Sequence, residues 1–137
     1  MLATLQPLLA IKSFREAREA RALQRQRRAV EAAQSHLVEC QKMLQDFEAK
    51  ALARERALYE GLYGQVVRLT QIQSVHAEID ELRHQARAHE KQVEQAQAER
   101  HRQDQELQLR RQVHEHALQA KERCVEVVRV ATESARL

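Results

Sequence analysis

Large apolar residues recur every seven positions through the first half of the chain. Leu23, Val30, Leu37, Leu44, Ala51 and Leu58 stand seven apart, and five of the six are large aliphatics. Three residues further on, the same repeat reads Gln26, Ala33, Cys40, Phe47 and Arg54, a weaker second row. Two such rows predict an amphipathic helix with a coiled-coil seam. Gly61-Leu-Tyr-Gly64 holds both glycines of the chain and predicts a break, because glycine in a helix interior costs about 1 kcal/mol against alanine. Beyond it the repeat resumes at Ile72, Ile79, Ala86, Val93, Arg100 and Leu107, with Val75, Leu82, His89, Ala96 and Gln103 as the second row. That seam is apolar near the break and polar in the middle. Thr70-Gln-Ile-Gln73 has the form of a capping box and Ser74 is an alternative cap. At the other end Pro7 and Ser13-Phe-Arg-Glu16 compete as helix starts. The expected elements are one helix over about residues 7–60, a tip over about 61–71, and a second helix over about 72–134.

A short connection makes two long helices antiparallel neighbours. Centring the turn on Gly64–Val67 sets residue i roughly against residue 133 − i. Phe47 then meets Ala86, Leu37 meets Ala96, His89 meets Leu44, and the apolar start of the chain meets Cys124–Ala131. The predicted fold is all-α, a long antiparallel two-helix coiled-coil hairpin in a single domain, residues 1–137. Its core is expected from Leu23, Val30, Leu37, Leu44, Phe47, Leu58, Ile79, Leu82, Val93 and Leu107. Composition agrees: Ala, Glu, Lys, Leu and Arg make up 77 of 137 residues, while there is no Asn and there are only three Asp. Such a chain lines a narrow seam and has too few turn formers for a β-sandwich or a nucleotide-binding α/β domain.

Three places carry more apolar surface than a two-helix seam uses. One is the tip, with Leu58, Tyr59, Leu62, Tyr63, Val66, Val67, Leu69 and Ile72, which reads as a closed cap cluster or as a docking knob. Another is Ile11 and Phe14, on the opposite helix face from Leu23 and Val30. There the seam either stutters or leaves these side chains outside, since Lys12, Glu16 and Glu19 hold the seam positions. The last is Cys124-Val-Glu-Val-Val-Arg-Val-Ala131, apolar around most of its circumference. The net charge of +3 is uneven. Residues 1–30 carry seven basic and two acidic groups. Arg18, Arg21, Arg25 and Arg28 fall within about 80° of one another on a helical projection. They form either a solvated face or a surface for an acidic protein lining. Nucleic acid or membrane is the weaker alternative.

Catalytic and cofactor chemistry has no foothold in these residues, and no enzyme activity, cofactor or metal is expected. There is no glycine-rich phosphate loop and no C-x-x-C pair. His36 and Cys40 stand one turn apart, but Cys40 falls in the seam and reads as packing. His114 and His116 lie on different faces, and His89 reads as a register-setting polar core residue. Two cysteines without a secretory signal point to a reducing compartment. No apolar run approaches the ~18 residues of a membrane span.

The tip Glu55-Arg-Ala-Leu58-Tyr59-Glu-Gly-Leu-Tyr-Gly-Gln-Val66-Val67-Arg68-Leu69, the following Val75-His-Ala-Glu-Ile-Asp-Glu-Leu-Arg83 and the late Ala120-Lys-Glu-Arg123 resemble the type III secretion stalk family, YscO/HrpO (SctO), related to flagellar FliJ. The resemblance implies a cytoplasmic hairpin at the inner-membrane base of the secretion apparatus; the chain is expected to be monomeric when isolated and not inserted in the membrane. It implies that the free helix ends enter the hexameric export ATPase and promote its assembly and activity. It further implies a link to the cytoplasmic domain of the export gate protein and a role in recycling export chaperones. On exposure and charge, the ATPase-binding residues expected are Ile11, Phe14, Arg18, Arg21, Arg25, Arg28, Lys121, Arg123, Val127 and Val130. The gate-facing tip is expected from Tyr59, Leu62, Tyr63, Val66, Val67, Leu69, Ile72 and His76. A coiled-coil adaptor or chaperone-like protein forming a helical bundle is the main alternative, and a basic nucleic-acid-binding helix the lesser one.

Overall fold

The computed structural model describes residues 2–137. Two helices account for nearly all of them: α1, Leu2–Glu60, and α2, Leu69–Arg136. The fold is all-α, an antiparallel helical hairpin, with no strand among the described residues. Its contacts fall into two units. The turn unit is Ala33–Arg100, and the end unit combines residues up to Ala32 with His101–Leu137.

In the turn unit the seam is apolar. Leu37, Cys40 and Ala96 form a buried cluster, with Val93 packed against it. Ile79 is buried, and Leu44, Phe47, Leu58 and Leu82 are half-buried on the same faces. Large residues therefore oppose small ones across this pair, as Leu37 does Ala96. The ring of His89 lies against Phe47, centroids 4.8 Å apart and tilted by 33°. The expected opposite number had been Leu44, one turn away.

α1 ends where the first glycine stands. The Gly61 amide still donates to the Ala57 carbonyl at 3.0 Å, after which Leu62 and Tyr63 donate to Tyr59 and Glu60, tightening the last turn. Gly64 has φ +72°, a left-handed conformation that glycine adopts without strain. α2 starts three residues before the expected residue 72. Thr70 and Ser74 lie inside it. The cap is instead Arg68, whose amide donates to Gln71 Oε1 at 2.9 Å. Gln71 thus performs the glutamine half of a capping box without the hydroxyl half.

In the end unit Leu23, Leu107 and Cys124 are buried, and Val30 is half-buried. The start of α1 corrects the sequence reading: the helix reaches back to Leu2, and both Pro7 and Ser13 lie within it. Proline there forfeits the bond to the Ala3 carbonyl, and its ring crowds that oxygen. Leu2, Leu5 and Leu9 continue the seam spacing and are half-buried, which offsets that loss. The seam does not stutter either. Lys12, Glu16 and Glu19 keep their heptad positions as half-buried groups, while Ile11 and Phe14 stay outside.

Candidate functional site

Two surfaces gather the residues singled out from the sequence, one in each unit. In the end unit, α1 presents Ile11, 49% exposed, and Phe14, 62% exposed. Arg18, Arg21, Arg25 and Arg28 follow on the same outward arc, all exposed. Among the described residues Arg18 pairs only with its neighbour Glu19, at 3.4 Å. Such a surface pair contributes little, so the guanidinium stays available. Val125, Val127 and Val130 of α2 are about half exposed. Leu2 with Val127, Val130, Ala131 and Ala135 lines an open apolar groove of about 660 Å³, with Glu126 and Ser134 at its polar edge. Arg123 is exposed.

Lys121 behaves differently from the other residues of that set. It is half-buried and its ammonium stands 3.7 Å from Glu16 Oε2. The second oxygen of the same carboxylate is 3.0 Å from His114 Nε2. The His114 hydrogen bond, aided by the charges of Lys121 and His114, holds the Glu16 carboxyl below the usual carboxylate range against the opposing effect of burial. Further along the seam, Gln26 Nε2 donates to the Gln103 side-chain oxygen at 2.8 Å and to its backbone carbonyl at 2.9 Å. The end unit is therefore pinned by polar cross-helix bonds and is apolar and basic outside.

In the turn unit the tip is an open surface rather than a closed cap cluster. Val66 is fully exposed, Tyr63 is 77% and Leu69 69% exposed, and Tyr59 and Ile72 are also exposed. Leu58, Leu62 and Val67 are half-buried. His76 lines a shallow groove of about 230 Å³ with Tyr59, Ile79, Asp80 and Arg83. Arg54 and Glu78 bridge the helices at 2.7 Å beside this region.

Some surface residues escaped the sequence reading. Leu109 and Val113 stand exposed one turn apart on α2. Their signal was an apolar pair four residues apart outside the heptad rows. His36 Nε2 lies 3.6 Å from Cys40 Sγ, but no group of three His, Cys, Asp or Glu side chains converges on a metal position among the described residues. Both cysteines are free thiols. No described helix is long and apolar enough to cross a membrane.

The sequence profile of the family described as Type III secretion protein YscO matches residues 5–137 of the chain. No curated protein sequence matches it. Among solved structures, the 2.8 Å crystal structure of the type III secretion protein YscO from Vibrio parahaemolyticus is similar, with a TM-score of 0.87. The two share 23% identity, over 98% of this chain and 86% of that one, a likeness that speaks to the fold.

Proposed function

The chain belongs to the type III secretion YscO family, and from that premise we propose that it is the stalk that engages the hexameric export ATPase. The end unit carries the ring contact in this reading. The observation behind it is the coincidence of unpartnered apolar side chains, Ile11, Phe14, Val127 and Val130, with the arginine row on one unit. Apolar side chains left outside a two-helix seam mark a contact surface, and an arginine row suits an acidic lining. The turn unit, with Tyr63, Val66 and Leu69 projecting from the tip, faces the cytoplasmic domain of the export gate protein. Export chaperones are further partners, and the site of action is the cytoplasmic base of the apparatus.

The chemistry is mechanical. A two-helix body inside a six-fold ring contacts the subunits unequally. Differential contact energy between ring states either biases its orientation or favours assembly. The protein supplies no catalytic group of its own in this scheme.

ATP hydrolysis and hexamer formation by the cognate ATPase test the reading. Wild type should stimulate both. Arg18, Arg21, Arg25 and Arg28 changed to Glu should abolish most of the stimulation, with helicity unchanged by circular dichroism. Absence of any wild-type effect on hydrolysis or assembly refutes ring engagement and favours the adaptor alternative.

A further inference from the structure

The outward face of α1 in the end unit, the face used in the proposed ring contact, sets apolar and basic side chains side by side. Ile11 and Phe14 lie within or beside the helical arc that holds Arg18, Arg21, Arg25 and Arg28. All six are exposed. Arg21, Arg25 and Arg28 make no ion pair with a carboxylate of the described residues, although the chain has twenty acidic side chains. The face is a convex helix surface, and the apolar groove of this unit is lined mainly from α2. The end unit as a whole carries fourteen basic and nine acidic side chains.

We propose that this face binds the surface of an anionic lipid bilayer as a peripheral contact. A bilayer offers negative headgroups directly above an apolar layer, so one flat partner satisfies both halves of the face. Guanidiniums reach phosphate oxygens, and Phe14 with Ile11 enters the boundary of the acyl region. An acidic protein would need an apolar socket placed beside its carboxylates to do the same. Each arginine near such a surface is worth about a fivefold gain in partitioning, and four acting together give a strong, salt-sensitive attachment. No helix spans the membrane in this contact. The lipid contact stands independently of the ring, yet it uses the same residues, so ring and membrane exclude one another.

Vesicle flotation tests it with the full chain and no ATPase. The vesicles are phosphatidylcholine alone, or phosphatidylcholine with one quarter phosphatidylglycerol. The chain contains no tryptophan, so Phe14→Trp supplies a single emission reporter at the proposed point of entry. Expected are flotation with the anionic vesicles only, loss on raising the salt to about 0.5 M, and a blue shift in the emission of the Phe14→Trp variant on binding. Arg18, Arg21, Arg25 and Arg28 changed together to Gln should weaken binding at least tenfold with helicity retained. No flotation with anionic vesicles overturns the proposal, as does equal flotation of the four-Gln variant. Binding without a blue shift, matched by equal affinity for duplex DNA, also overturns it, because the row is then a general polyanion surface.

Discussion

The two units use one heptad spacing and fill it differently. In the turn unit the repeat brings Leu37 and Cys40 onto Ala96 and Val93, and Phe47 onto His89. In the end unit the same positions bring Gln26 onto Gln103 and Glu16 onto His114 and Lys121, with Leu23, Leu107 and Cys124 as apolar islands between. The charges differ in sign as well. The turn unit has nine basic and eleven acidic groups, against an excess of five basic groups in the end unit. An apolar seam supplies stability. A polar seam specifies which residue pairs with which while adding little or nothing to stability. On that contrast the turn unit is expected to hold the helices more firmly, and the end unit, which carries the unpartnered surface, to open at lower cost.

The largest effect that separates the two is expected from Leu37→Ala. Leu37 is 5% exposed and belongs to the buried cluster of the turn unit. Truncation should cost about 2–4 kcal/mol, a large share of a domain's total of about 5–15 kcal/mol. Leu52→Ala, on the exposed side of the same helix, should stay within about 0.5 kcal/mol. Thermal melts followed by circular dichroism measure both. Equal losses would mean that stability does not reside in the apolar seam.

A smaller effect of opposite sign is expected from joining the units in character. Gln26→Leu with Gln103→Leu replaces a hydrogen-bonded polar layer by an apolar one. Such replacements are neutral or stabilising, here by about 1 kcal/mol, at the expense of unique register. Hydrogen exchange should then show about fivefold slower exchange around these positions and no change in the turn unit. Faster exchange would make the glutamine pair a net stabiliser and would break the contrast drawn between the seams.

Much of this was legible in the residues. The seam of the turn unit follows from period alone, because Leu37, Leu44, Ile79 and Ala96 need only a helix and a partner face. The helix starts were not legible. Pro7 and Thr70 carry strong local signals, yet Leu2, Leu5 and Leu9 gain burial by extending α1, and Gln71 caps α2 from Arg68. Tertiary burial and one side-chain bond outweigh local preference there. Of the candidate surfaces, exposure of the arginine row follows from its angle to the seam. The fate of Lys121 does not, because its partner Glu16 is 105 residues away in sequence. A charged residue at a heptad position reads as a flaw in the seam until the opposing helix supplies its counter-charge.

The smallest effect concerns that same carboxylate and carries a sign. His114 holds the Glu16 carboxyl below its ordinary value of 4.5. A carboxyl lowered on folding contributes stability that is fully present above the unfolded value. That contribution declines as pH falls below about 4.5 and is gone once pH has passed through the lowered folded value. Amide protection of the end unit should therefore drop in that acid window, after correction for intrinsic exchange rates, and Glu16→Gln should flatten the drop. His114→Gln removes the largest cause of the lowering and should start the loss of the pairing at a weaker acidity. Glu126 is held low as well, by its hydrogen bond and charge contact with Arg129, but that pair lies within α2 and does not cross the seam. It remains in every variant as an internal reference. If the end unit of Glu16→Gln loses protection as steeply as wild type, the acid response arises from residues such as Glu126 and not from the cross-helix pairing. If only the wild type responds, and the turn unit is flat throughout, the polar seam is where protons reach this fold.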